Sequence, residues 1–185
     1  MAFEGNDTAD KTQRFRAAAL PYLNDVYTLA RYLMRNTADA EDAAQECYLR
    51  AFRHFETFRG GPIKPWLLAI LRNVCRAEYA RHGALAALQL DTLDAAEQCA
   101  DGLWNKAENS PEASALSRLD GETVKRLIAQ LPHQFRETIV LREINELSYR
   151  EIAEVIGAPV GTVMSRLARA RSLLRAAWIA EENRP

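Results

Sequence analysis

Between Leu147 and Leu174 the sequence reads LSYREIAEVIGAPVGTVMSRLARARSLL, and its internal spacing leaves few folds open. Ser148 is followed three residues later by Glu151, the reciprocal capping box that starts a helix. Ile152, Ala153 and Ile156 fall on one inward face of that short helix. Gly157 stands where the chain must turn through a left-handed conformation that costs glycine little. Pro159 opens the next helix, and Val163 follows Ala153 by ten residues. A small residue, a turn glycine and an apolar residue at these offsets let two helices cross closely. The pattern is a helix-turn-helix, whose second helix can enter a major groove.

The inward positions of that second helix are Val163, Leu167, Ala170 and Leu174. Met164, Ser165, Ala168, Arg169, Ser172 and Arg175 share the other face, flanked by Arg166 and Arg171. Residues 159–178 hold four arginines and no acid. A local excess of positive charge beside a helix start suits phosphate contact and base-edge reading. A merely solvated basic face is the alternative, and the turn spacing argues against it.

The rest of the chain is helical in pattern, with no strand-like alternation. Phe15, Ala19, Tyr22, Val26, Leu29 and Leu33 form one stripe, read as a single amphipathic helix over 12–35. Thr37 is the expected N-cap of a second helix, with Ala44, Cys47, Ala51, Phe55 and Phe58 inward and Arg59-Gly60-Gly61-Pro62 as its stop. A third helix is expected from Pro65 to about His82, with Trp66, Ile70, Val74 and Ala77 inward. Trp66 is read as core rather than as a stacking residue. Residues 64–83 carry Lys64, Arg72, Arg76 and Arg81 against the acid Glu78.

Residues 84–118 differ. Six acids against Lys106 and Arg118, mostly small apolar residues and the breaker Asn109-Ser110-Pro111 mark a flexible acidic linker, with room for a short helix near 85–90. From 119 onward Leu127, Leu131, Ile139, Leu141 and Ile144 indicate two helices parted near Pro132. The expectation is an all-α fold of two small helical domains joined by that linker.

Several function classes are excluded. The whole chain is nearly neutral, with 24 Lys plus Arg against 25 Asp plus Glu, so it is no basic coat protein. Its longest apolar run, Trp66 to Leu71, is six residues, far short of the ~20 needed for a bilayer. The start, MAFEGNDTADK, lacks signal-peptide blocks, so a cytoplasmic protein without direct membrane insertion is expected. Cys47, Cys75 and Cys99 are too few and scattered for a disulfide scaffold and read as structural thiols, a redox role for Cys99 being the lesser reading. His54, His82 and His133 lie apart, and no nucleophile, metal or phosphate-loop motif occurs. No enzyme, cofactor, metal or small-molecule substrate is expected.

Three stretches carry a family resemblance. LSYREIAEVIGAPVGTVMSRLARAR resembles region 4 of the extracytoplasmic-function sigma factors of the sigma-70 family. DAEDAAQECYLRAFRHFETF resembles region 2.2, and KPWLLAILRNVCRAEYARH resembles regions 2.3 and 2.4. The resemblance covers residues 12–83 and 119–178. It implies a promoter-specificity subunit of bacterial RNA polymerase, with residues 1–11 disordered, 12–83 as region 2, 84–118 as linker, 119–180 as region 4 and 181–185 as a tail. It also implies that Asp42, Gln45, Glu46, Leu49 and Arg50 dock on the polymerase beta-prime coiled coil. Phe58, Arg59, Gly60, Lys64, Arg72, Asn73, Arg76 and Arg81 would open and read the minus-ten element. Thr162, Met164, Ser165, Arg166, Ala168, Arg169 and Arg171 would meet the minus-thirty-five element, with region 4 touching the beta flap. Many relatives have a basic residue at the position of Met164 and a larger one at Ala168, so apolar contact or DNA shape carries more of the recognition here. The linker would pass near nascent RNA, either imitating nucleic acid or acting as a plain tether. A cognate anti-sigma factor is implied as a further partner. A sigma-like mimic and a one-component helix-turn-helix regulator are the alternatives; the retained basic DNA-facing residues argue against the first, and the second would not need the residue 39–82 motifs.

Overall fold

The computed structural model describes residues 4–34, 36–81 and 121–182, with side chains from residue 9 onward. All regular structure among them is helical. The expected linker, its short helix, His82 and Cys99 lie outside the described residues.

The stripe expected on one helix over 12–35 is carried by two. Helix α1 spans Glu4–Ala19 and α2 spans Leu23–Leu33, with a 3-10 turn at Leu20–Tyr22 between them. Pro21 is the cause, because it lacks an N–H and its ring crowds the preceding turn. The stripe itself survives: Phe15, Ala19, Val26, Leu29 and Leu33 are buried. Helix α1 begins at Glu4, within the stretch expected to be disordered.

Helix α3 spans Thr37–His54. Its cap is Asn36, not Thr37: the Asn36 carboxamide accepts from the Asp39 N–H at 2.8 Å. The Thr37 hydroxyl instead accepts from Arg31 at 2.6 Å. Ala40, Ala43, Ala44, Cys47 and Ala51 face inward, and Phe15 meets Tyr48, Phe52 and Phe55 edge-on.

Helix α4, Ile63–Arg81, starts two residues before Pro65, which the first turn tolerates. Its buried stripe is Leu67, Leu68, Leu71, Val74 and Cys75. Trp66, Ile70 and Ala77, expected inward, are only half-buried.

The second set comprises α5 (Gly121–Gln130), α6 (His133–Glu143), α7 (Tyr149–Ile156) and α8 (Val160–Glu182). Pro132 separates α5 from α6 as expected. Leu127, Leu131, Ile139 and Leu141 are buried, whereas Ile144 is exposed, because α6 has ended and Glu146 takes a left-handed φ of 58°. Helix α8 runs on to Glu182, into the expected tail.

The two sets share one continuous core. Helix α6 packs on α2, and α7 packs on α4. Among the described residues no helix is long and apolar enough to cross a membrane.

Candidate nucleic-acid interface

The turn between α7 and α8 forms as its residues dictate. The Ser148 hydroxyl accepts from the Glu151 N–H at 3.3 Å, and the Glu151 carboxylate accepts from the Ser148 N–H at 2.8 Å. These bonds to Ser148 hold the Glu151 pKa below the usual carboxylate value. Gly157 ends α7 with φ 65°, a left-handed conformation in which a side chain would be strained. Ile152, Ile156, Val163, Leu167, Ala170 and Leu174 close the crossing of the two helices. Each buried Val or Leu contributes roughly 1.5–3 kcal/mol to holding α8 at its angle.

That packing leaves the other face of α8 outward. Met164 is 42% exposed, and Ala168 and Arg169 are exposed beside it. Thr162 and Ser165 are half-buried, with the Ser165 hydroxyl donating to the Thr162 carbonyl at 3.0 Å. Arg171 reaches Glu143 at 2.8 Å. Burial works against its charge, but Glu143 and nearby Tyr149 outweigh that and hold its pKa above the ordinary value. Arg166 is half-buried and turned toward the rest of the molecule.

In the first set, the loop after α3 needs its glycines. Gly60 and Gly61 have φ of 90° and 101°, which other residues rarely adopt. Phe58 packs on Trp66 with ring centroids 4.9 Å apart. Together with Arg59, Gly60 and Pro62 they line an open cavity of about 380 Å³, which Glu154 and Val155 of α7 also line. Trp66, read as core from its spacing, is half-buried against the core and also lines this cavity.

The basic residues of α4 divide. Asn73 and Arg76 are exposed, as is Arg81, which pairs with Glu78 one turn back. Lys64 is held by Asp25 at 2.6 Å, and Arg72 by Glu137 of α6 at 2.7 Å. Glu137 was not singled out in the sequence. Its signal is the run Phe135 to Leu141, buried on nearly every side, because such a helix is packed between two layers and any carboxylate in it must be paired.

Helix α3 carries a third surface. Asp42, Gln45 and Leu49 are exposed at helical spacing, opposite the buried alanines, and Leu49 is 52% exposed. Glu46 and Arg50 pair at 2.6 Å beside them, and that hydrogen bond holds the Glu46 pKa below its usual value.

The thiols of Cys47 and Cys75 are buried, and burial pushes the pKa of each up to about 12. That keeps them protonated and poorly nucleophilic. Among the described residues no three His, Cys, Asp or Glu side chains come together as a metal site.

The family description "Sigma-70 region 2" matches residues 19–84, and "Sigma-70, region 4" matches 121–174. The chain is 35% identical over 147 residues to the ECF RNA polymerase sigma-E factor of Haemophilus influenzae, covering 79% of this chain and 77% of that one. It is 34% identical over 163 residues to the Escherichia coli K12 sigma-E factor, covering 86% and 84%. With the Bacillus subtilis factor SigW it shares 32% over 162 residues, covering 83% of each. The fold matches that of the Bartonella quintana sigma factor RpoE, solved with the anti-sigma factor NepR, at a TM-score of 0.68 and 24% identity over 93% of this chain and 99% of that one. It also matches CnrH, solved with the cytosolic domain of CnrY, at 0.63 and 23% over 91% and 90%.

Proposed function

This chain belongs to the extracytoplasmic-function sigma factors of the sigma-70 family, and on that premise we propose how its surfaces divide the work of directing RNA polymerase to a promoter. Helices α5–α8 read the minus-thirty-five element. The exposed face of α8 enters the major groove, with Arg169 and Arg171 on phosphates or base edges, Arg166 and Thr162 in support, and Met164, Ser165 and Ala168 against the bases. Met164 and Ala168 offer no hydrogen bond, so thymine methyl groups suit this face better than a donor–acceptor code.

Helices α1–α4 open and hold the minus-ten element. Strand separation costs stacking energy, which a pocket for an extruded base and cations for its backbone offset. Phe58, Arg59 and Gly60 of the glycine loop are the residues for that base. Arg59, Asn73, Arg76 and Arg81 are placed for the strand, joined by Lys64 and Arg72 once their carboxylate partners release them. The α3 surface of Asp42, Gln45, Glu46, Leu49 and Arg50 docks on the beta-prime coiled coil, with apolar Leu49 at its centre. Catalysis belongs to the polymerase.

A cognate anti-sigma factor restrains the chain under uninduced conditions. A structure of the same fold, Bartonella quintana RpoE, was solved with the anti-sigma factor NepR, and that supports the reading. A pull-down from unstressed cells should recover it, and recovery of polymerase subunits alone would overturn this part.

The observation that carries the proposal is the helix-turn-helix with its arginine face turned outward, in one chain with the basic α4 and its glycine loop. Arg169→Ala tests it. Promoter-dependent transcription should fall roughly tenfold or more, the loss of one base or phosphate contact worth about 1–3 kcal/mol. Core-polymerase binding should stay within about twofold. Loss of core binding instead would show that Arg169 has another role.

A further inference from the structure

A carboxylate of the second helical set, Glu137, pairs with a cation of the first. Glu137 is 2% exposed and accepts from Arg72 at 2.7 Å across 65 residues of sequence. Half-buried Arg166 of α8 has this same Glu137 and Arg72 as its charged neighbours. Buried Asn145 donates to the Asp25 carbonyl at 3.1 Å and to its carboxylate at 3.3 Å, and that carboxylate holds Lys64. Glu151 lies within the field of Lys64, and Glu154 lines the cavity beneath the glycine loop. Arg136 adds a hydrogen bond to the Tyr32 carbonyl at 3.3 Å.

This arrangement cannot be the one that reads a promoter. Elements at minus ten and minus thirty-five are roughly 25 base pairs apart, about 85 Å of duplex at ~3.4 Å per step. A compact body of this length has a radius of gyration of about 16 Å. Arg72, from the proposed minus-ten surface, is held by a carboxylate of the set that carries the proposed minus-thirty-five surface. The two sets, and with them Arg72 and Glu137, must part before both elements can be held.

We propose that Glu137 is an internal stand-in for a DNA phosphate: it locks the two helical sets together by pairing Arg72, and so withholds that cation from the minus-ten surface until the contact breaks. The inference rests on the proposed DNA assignments and adds a residue outside them. A buried carboxylate is stable only while paired. The lock is therefore cooperative, because withdrawal of Arg72 leaves Glu137 with a strong tendency toward water. Apparent affinity for DNA is reduced by the fraction of molecules that are open.

Glu137→Gln in the full chain is the test, since it keeps the shape and removes the charge. Small-angle scattering should show a larger radius of gyration. Affinity for a fluorescein-labelled duplex of mixed sequence at low salt should rise about tenfold. Helix content by circular dichroism should match the parent chain. Unchanged scattering and unchanged affinity in a folded variant would overturn the lock. Asp25→Ala, at the partly exposed edge of the same contact, should shift both readings in the same direction. It decides the matter if Glu137→Gln does not fold, and no shift would then overturn the proposal. Transcription with core polymerase separates this from the reading beneath it. A scattering change with no transcription from either protein would overturn the DNA assignments, whereas transcription from both with no scattering change overturns the lock.

Discussion

Helices α4 and α8 carry the same count of basic residues but use them differently. On α4, Lys64 and Arg72 have side chains only 20% and 15% exposed and are bound to carboxylates. Arg76 and Arg81 of α4 are exposed; on α8 Arg166 alone of the arginines is half-buried, Arg169 and Arg175 are exposed, and Arg171 meets Glu143 with both side chains at least 42% exposed. A charge count treats the two helices as equal, and solvent does not. A desolvated pair that loses one partner leaves a costly buried charge, whereas an exposed pair contributes little. A basic helix is thus a ready DNA surface only where its cations face water.

The contrast is most exposed to refutation at Arg72. Arg72→Ala should remove about 3–5 kcal/mol from the docked chain, read as a fall in the urea midpoint, because Glu137 is left buried without its partner. A loss below about 1 kcal/mol would mean that the pair is effectively solvated, and the two helices would then be alike.

The buried faces of α3 and α4 give a second handle, through their thiols. The ordinary thiol value is 9.0, and burial raises Cys47 and Cys75 to about 12. Above pH 9 the unfolded chain therefore releases thiol protons that the folded chain keeps. Their contribution to stability is fully present below pH 9 and is lost as pH rises toward 12. Thermal melting across that window should show the fall, and Cys47→Ala with Cys75→Ala should flatten it. An equal slope in the double variant would assign the alkaline loss to other groups.

These particulars mark what the sequence could say. The inner stripe of α8, the capping box at Ser148 and the turn at Gly157 were all legible, because each depends on residues within one helical turn or on one solvated helix with a single dry face. The break at Pro21 was missed because the apolar stripe continues in register across it. The Asn36 cap lay one residue from the Thr37 expected, and the two side chains differ in which partner each could reach. The inner face of α4 was misplaced because Trp66 and Ile70 match the helical period as well as Leu67 and Leu71 do. Glu137, Asp25 and Asn145 were not legible as a group. Their meeting is a relation between two helical sets, and nothing in the local pattern of either set encodes it.

Smaller effects sharpen the comparison further. Ser148→Ala should cost about 1 kcal/mol by removing the cap of α7, with transcription falling only as the helix-turn-helix loosens. No measurable loss would mean that tertiary packing alone sets the α7 start. On α8, Arg175→Ala should change stability by less than about 0.5 kcal/mol in the same urea assay that registers Arg72→Ala. A cost comparable to that of Arg72→Ala would contradict the solvated character given to the α8 face.

The most direct test is to map transcript starts made on genomic DNA by core polymerase with and without the purified chain. The expected result is a set of starts that depend on the chain and share two upstream elements, near minus ten and minus thirty-five, with the second lost in Arg169→Ala. Starts that are the same with and without the chain, or a chain that never associates with the polymerase, would contradict it.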